Sequence, residues 1–276
     1  MDKLQGGLAV SRTMTNVDKE LITVNRFKVN GAYTDGRKEK HKIILTNILD
    51  GKVPNHERNA ILLGGGSGAG KSTIVKEFFG EDFDIGSEFI TIDADEIKTH
   101  LDEYKTYINN EDTVYFAAFY VHAESGDIVD MLLGKCIELG LSFIYDGTMS
   151  WKPLYNELLP KLKTKSYHTL GMYVDVDIEV AQKRVEKRGK EIKRYVDKEV
   201  VRKANRNSAI VFSQLEEKFD EVAMYNNTEE RTEDSNSFYK PFYTRDKPSN
   251  EPFEGNILNK RQFELFIKKS EEPYLE

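Results

Sequence analysis

A single cysteine, Cys136, stands in 276 residues, so no intrachain disulfide can form and a reducing compartment is expected. A basic excess is missing as well. Lys and Arg number 40 against 47 Asp and Glu, and the net charge of −7 argues against a general nucleic-acid binder. No apolar run is long enough to span a bilayer, and Met1 to Asn30 lacks the apolar stretch of a signal peptide, so a cytoplasmic chain with no membrane contact is expected. Internal repeats and low-complexity tracts are absent too. What is present is 39% hydrophobic and 11% aromatic residues, enough for one large domain or one domain with appendages.

The stretch Ala60-Ile61-Leu62-Leu63-Gly64-Gly65-Gly66-Ser67-Gly68-Ala69-Gly70-Lys71-Ser72-Thr73 organises the chain. It reads as a buried strand, a glycine turn and a helix start, and Gly65 to Ser72 matches the phosphate-binding loop pattern G-x-x-x-x-G-K-[ST]. Glycine permits the backbone to approach phosphate oxygens with its N–H groups. Lys71 would reach the β- and γ-phosphates and the Ser72 hydroxyl would ligate Mg²⁺. The helix starting near Lys71 adds roughly half a positive charge on the same side. Nucleoside triphosphate binding by Gly65, Gly66, Ser67, Gly68, Ala69, Gly70, Lys71, Ser72 and Thr73 is the expectation.

Elsewhere, strands and helices alternate. Asp35 is expected to cap a helix from about Gly36 to Leu49, and a short strand is conceivable near Leu21 to Val24. After the helix from Lys71 to Phe79, strands are expected at Phe89 to Ile92, Leu141 to Tyr145, His168 to Val176 and Phe219 to Tyr225. Helices are expected over Glu111 to His122, Glu124 to Leu139, Lys152 to Lys163, Glu179 to Lys190 and Asp197 to Lys218. The pattern predicts an α/β fold with a central parallel sheet of about five strands flanked by helices. Residues 1–58 read as an N-terminal extension with one helix and 59–227 as the core. Residues 228–276 read as a polar linker followed by a helix near Asn259 to Lys269 docking on that core.

Triphosphate binding alone does not select a reaction. The guanine-reading N-K-x-D string is missing: Asn259-Lys260-Arg261-Gln262 lacks the Asp. The strand-end Asp-Glu of motor ATPases has no clean match in Asp93-Ala94-Asp95-Glu96 or Asp146-Gly147-Thr148. A small-molecule kinase needs a carboxylate to deprotonate a hydroxyl, cations for the transferring phosphoryl group, and a cover against water. Asp95 is placed to be that base, although it could equally cap a helix, and Asp93 competes for either role. Arg184 and Arg188 lie four apart on one helical face and can converge on phosphates; Lys183, Lys187, Lys190, Lys193, Arg194, Arg202 and Arg206 continue the run. Gly189 would let this segment hinge as a lid.

The ordered set Leu63 to Thr73, Ile92-Asp93-Ala94-Asp95-Glu96-Ile97, Glu124-Ser125, Tyr145-Asp146-Gly147-Thr148 and Arg184/Arg188/Arg194 resembles the zeta toxin family of P-loop kinases, which phosphorylate UDP-N-acetylglucosamine. The resemblance covers roughly Ala60 to Asn227. It implies that Asp95 takes the proton from a sugar 3′-hydroxyl. Asp130 and Asp146, with Thr148 and Glu124, would form the substrate wall, and Asp146 could also act through the metal. Arg188 and Arg194 would clamp the phosphates, with Arg202 an alternative for the second. It implies ATP and Mg²⁺ as cofactors, and a small helical antitoxin that blocks the ATP site. Asp130 and Asp146 stand where the family commonly has Glu, and the proline common after the motif's His is missing after His100, which opens the acceptor's identity. Another acceptor (a nucleotide cofactor, an antibiotic, an RNA 5′-end) or a non-catalytic ATP sensor are the rival readings. Cys136 is expected in the core and His122 on a helix surface or interface, while Trp151 is expected either to stack on a base or to pack.

Overall fold

In the computed structural model, which describes residues 18–80, 82–229 and 240–275, helices cover a seven-stranded sheet. The elements that carry the argument are α1 (Asp35–Leu49), β1 (Asn59–Gly64), α2 (Lys71–Phe79), β2 (Ile90–Ile92), α3 (Ala94–Thr99), α4 (Asp102–Ile108) and α5 (His122–Leu139). They continue with β3 (Phe143–Tyr145), α6 (Lys152–Thr164), β4 (His168–Asp175), α7 (Ile178–Ile192), α8 (Lys198–Ser213) and β5 (Glu221–Asn226). The chain closes with β6 (Pro241–Arg245), β7 (Asn256–Ile257) and α9 (Lys260–Ser270).

The strand order is β2-β3-β1-β4-β5-β6-β7, with the first five parallel and the last two antiparallel. β1 reads as a near-continuous apolar run because it is central and buried on both faces. One core packs Leu62, Phe143 and Leu132 with α5 and α6; the other packs Leu63, Met172 and Val174 against Ile74 and Val185. Right-handed crossovers put the carboxyl ends of β1, β2, β3 and β4 along one rim, where ligands bind in open α/β sheets. No helix among the described residues is long and apolar enough to cross a membrane.

Several local expectations are corrected. Residues 21–24 hold no strand: a 3-10 turn, Lys19–Leu21, leads into a short helix, Thr23–Phe27. The helix expected over Glu111 to His122 is broken into a 3-10 turn at Val114–Phe116 and a single α turn at Ala117–Tyr120. Its aromatic residues pack along a wall instead of forming one helical stripe. Part of the expected polar linker is sheet. Pro241 begins β6, a strand position where its missing N–H is tolerated, and β6 pairs with β5. Glu216 fixes this addition: its fully buried carboxylate accepts from Arg245 Nε at 2.8 Å, Tyr243 Oη at 2.9 Å and the Phe253 N–H at 2.9 Å. α9 docks through Phe266, buried against Tyr173, Phe212 and Phe242.

Candidate active site

The loop between β1 and α2 is shaped by its neighbours. Gly65 has φ +123°, and a Cβ there would lie 2.5 Å from the Val174 carbonyl oxygen; Gly68 has φ +80°, and its Cβ would lie 2.5 Å from that of Ala181. Only glycine tolerates both conditions. α8 braces the loop from the other side: Asn205 Nδ2 donates to the Ser67 carbonyl at 3.1 Å, and Ser208 Oγ accepts from the Gly65 N–H at 2.7 Å. Asn227 Nδ2 donates to the Ala69 carbonyl at 2.7 Å, and Arg184 Nη1 donates to the Asn227 carbonyl at 2.7 Å. The bracing residues Asn205, Ser208 and Asn227 carry no motif, and sequence reading missed them.

A cavity of about 300 Å³ opens over this loop, lined by Ser67, Gly68, Gly70, Lys71, Ser72, Asp93, Asp95, Asp146, Gly147, Thr148, Arg184, Arg188 and Arg194. Sequence-predicted residues from four separate segments therefore meet in one space. Gly65, Gly66 and Ala69 lie buried outside its lining, and the Gly65 N–H is already taken up by Ser208 and the Thr148 carbonyl. Thr73 lies on α2 and does not line it either. Lys71 Nζ donates to the Gly65 carbonyl at 3.0 Å and lies 3.5 Å from Asp146 Oδ1. Arg188 has a buried Nε with no hydrogen-bond partner, and burial pulls its pKa below the usual guanidinium value while Asp93 and Asp146 oppose that. A half-buried cation that lines the cavity and is not neutralised by a direct ion pair among the described residues is suited to an anionic guest.

The competition between Asp93 and Asp95 is resolved by geometry. Asp93 is the N-cap of α3: its Oδ1 accepts from the Asp95 N–H at 2.8 Å. Burial, and then the nearby Asp146 carboxylate, push the Asp93 pKa up to about 6. Asp95 is thereby free of capping, and its carboxylate meets two cations, Lys98 Nζ at 2.9 Å from Oδ1 and Arg194 Nη2 at Oδ2. Asp93, Asp146 and Ser72 line the same cavity and offer oxygen donors of the kind Mg²⁺ takes, and that ion needs few protein ligands when phosphates supply the rest; no group of three or more His, Cys, Asp or Glu among the described residues is placed to hold a metal alone. Ser72 and Asp146 are the residues that would hold it.

Behind Asp95 the groove continues into a cavity of about 370 Å³ with aromatic walls, Tyr115, Phe116, Phe119, Tyr145 and Tyr195 among them. Tyr115 and Tyr195 stack with ring centroids 5.1 Å apart. Asp93, Asp95, Asp146, Thr148 and Arg194 line both this space and the phosphate cavity. A third space of about 430 Å³ carries Asp130, Thr148, Trp151 and Lys161. His122 lines the second and third spaces instead of a free helix surface, and burial, then the Lys98 charge, lower its pKa to about 4. The aromatic wall was not anticipated, although Tyr115-Phe116 and Phe119-Tyr120 announce an apolar cluster.

Glu124 is corrected. It lines none of these spaces; it is fully buried, accepting from Arg37 Nε at 2.5 Å and His41 Nε2 at 2.6 Å. Burial opposes its ionisation, but the His41 and Arg37 hydrogen bonds prevail and hold its pKa at about 2. Arg37 also binds Glu103 at 2.8 Å, so this cluster fastens α1 to α4 and α5. Cys136 is buried in the core, where desolvation raises its thiol to about 12.

Comparison with known proteins adds three findings. The family described as zeta toxin matches residues 46–241. A protein of Arabidopsis thaliana, calmodulin calcium-dependent NAD kinase, is 30% identical over 164 residues, covering 57% of this chain. The match spans 28% of that relative's length. Among solved structures, the PezAT toxin–antitoxin system of Streptococcus pneumoniae superposes with a TM-score of 0.58 at 22% identity, over 86% of this chain and 96% of that one. AvrRxo1-ORF1:-ORF2 with ATP gives 0.64 at 14% identity, over 86% and 74%. At these identities the structural likenesses establish the α/β P-loop kinase fold.

Proposed function

The chain belongs to the zeta toxin family, and from that premise we propose that it is an ATP-dependent kinase transferring the γ-phosphoryl group to a hydroxyl. One observation carries this reading: Asp95, Lys71, Arg188 and Arg194 line a single cavity over the phosphate loop, at its junction with an aromatic acceptor space. The loop N–H groups and Lys71 bind and orient the triphosphate. Arg188 and Arg194 offer positive charge where negative charge grows on the phosphoryl oxygens. Asp95 accepts the hydroxyl proton, and its place between the two cavities puts that proton beside the γ-phosphate. Mg²⁺, held by Ser72 and Asp146 when bound, would neutralise phosphate charge. The aromatic wall excludes water that would otherwise consume ATP.

For the acceptor we propose a nucleotide-linked hydroxyl, with the family substrate UDP-N-acetylglucosamine as the first candidate and Asp130, Asp146 and Thr148 as its wall. A second reading, NAD, is favoured by the plant NAD kinase relative and by the planar aromatic surfaces of Tyr115 and Tyr195. A small helical antitoxin covering the ATP site is proposed as partner; the PezAT system supports it by fold and family. Incubation with Mg²⁺-ATP and each acceptor, followed by mass spectrometry, separates the readings. A product heavier by one phosphoryl group from one of the two identifies the acceptor. No phosphorylated product from either, or from a metabolite extract, would favour the ATP sensor.

A further inference from the structure

Asp95 is gripped by two cations of different kinds. Arg194 follows the C-terminal end of α7 and lines both cavities, so it can turn toward an incoming phosphate. Lys98 belongs to α3 itself, three residues beyond Asp95, and its side chain is only 7% exposed. Residues three apart are neighbours on a helix, so the 2.9 Å contact between Lys98 Nζ and Asp95 Oδ1 is set by the helix backbone and not by a lid. Lys98 lines the aromatic cavity but not the phosphate cavity, which separates it from the phosphate-binding cations Lys71, Arg184 and Arg188.

We propose that Lys98 is a positioning residue for the base: it holds Asp95 Oδ1 and turns Oδ2 toward the acceptor hydroxyl once Arg194 engages the phosphates. This inference rests on the kinase reading above. A base that takes a proton needs one oxygen fixed and one open, and geometry of this kind is worth more than added charge. The charged and titratable groups that face Lys98 are Asp93 and Asp95 from its own helix start, His122 from α5, Arg188 from α7 and Arg194 beyond it. Burial outweighs the Asp93 charge and brings the Lys98 ammonium down to about 8, with Arg188 adding to the shift. The ammonium is therefore charged below that pH and neutral above it. The grip on Asp95 weakens as pH rises through about 8.

The test uses the full chain and three variants, Lys98→Met, Lys98→Arg and Asp95→Asn. With Mg²⁺-ATP and whichever of UDP-N-acetylglucosamine or NAD is turned over, Lys98→Met should lower kcat about 10- to 100-fold while the KM for ATP stays within about 2-fold. Lys98→Arg should recover most of kcat and remove the alkaline fall in rate, because a guanidinium stays charged there. Wild-type kcat in Lys98→Met, or superimposable pH profiles for wild type and Lys98→Arg, would overturn the proposal. Lysine side-chain NMR supplies a readout without turnover. The Lys98 resonance, assigned by its loss in Lys98→Arg, should titrate lower in Asp95→Asn, since an adjacent anion has gone. An unchanged midpoint overturns the positioning contact whatever the assay shows. A lowered midpoint in a chain that phosphorylates neither acceptor nor any component of a metabolite extract would retain the contact and defeat the kinase reading alone.

Discussion

The two ends of the groove, proposed here as a phosphate end and an acceptor end, are built by different means. The phosphate end is made of backbone: a loop between β1 and α2 whose glycines touch the carbonyls of Val174 and Ala181, with cations from α7 closing over it. The acceptor end is made of side chains brought from far apart, with Tyr115 and Phe119 ahead of α5 facing Tyr195 beyond α7. A backbone site binds what every triphosphate shares. A side-chain site can be re-cut residue by residue without disturbing the backbone loop at the other end. The contrast yields separable expectations: changes at the first end should act on ATP and rate together, and changes in the aromatic wall of the second on the acceptor alone.

The largest effect is expected at Lys71. Lys71→Ala should lower kcat/KM by about 10²- to 10³-fold and weaken ATP binding, read by calorimetry beside the transfer assay. A normal rate would remove the loop from the mechanism.

At the junction, Asp93 links function to stability. Its pKa is raised from 3.8 to about 6, so the folded state carries no penalty below the lower value and the whole of it above the higher. Asp93→Asn keeps a side chain that caps a helix well. It should therefore leave the midpoint of thermal unfolding nearly unchanged at pH 4 and raise it at pH 7.5, by an amount equivalent to at most about 3 kcal/mol. Equal midpoints at both pH values would show that burial does not act on this carboxyl.

Gly68→Ala tests the backbone character of the phosphate end. With φ at +80° and the Ala181 carbonyl in the way, it should destabilise the chain by about 1–3 kcal/mol and weaken ATP binding. An unchanged melting curve would contradict that packing. The smallest effect is expected at the other end: Tyr115→Ala should raise the acceptor KM about 2- to 10-fold and leave the ATP KM alone, in line with about 0.5–1.5 kcal/mol for an aromatic stack. A change in ATP KM would mean that the two ends are not separate.

The same contrast explains what could be read in the sequence. Lys71, Asp95, Asp146, Thr148 and Arg188 could be expected to share one space because each lies in a short motif at a strand end or on one helix face; the α/β topology gathers strand ends along one rim, and all five line one cavity. The five parallel strands followed from alternation with helices. Tyr115, Phe119 and Tyr195 were missed because packing across 80 residues leaves no local period. Lys98 was legible in principle, three residues after Asp95 on a helix, but a lysine there also reads as a solvated position. Glu124 was placed in the substrate wall by resemblance, whereas Arg37 and His41 on α1 claim its carboxylate. β6 escaped because its partner β5 has a register shift at Met224/Tyr225 and Pro241 disguises its start.

Asp95 is proposed to act on the hydroxyl where the two cavities meet, and one comparison tests this most directly. Wild type and Asp95→Asn are each given γ-labelled ATP with Mg²⁺ and the accepted acceptor, and ATP binding is measured on the same preparations. Retained ATP affinity with transfer reduced by about 10²-fold or more is the expected result. Undiminished transfer by Asp95→Asn would contradict it and move the base elsewhere in the groove.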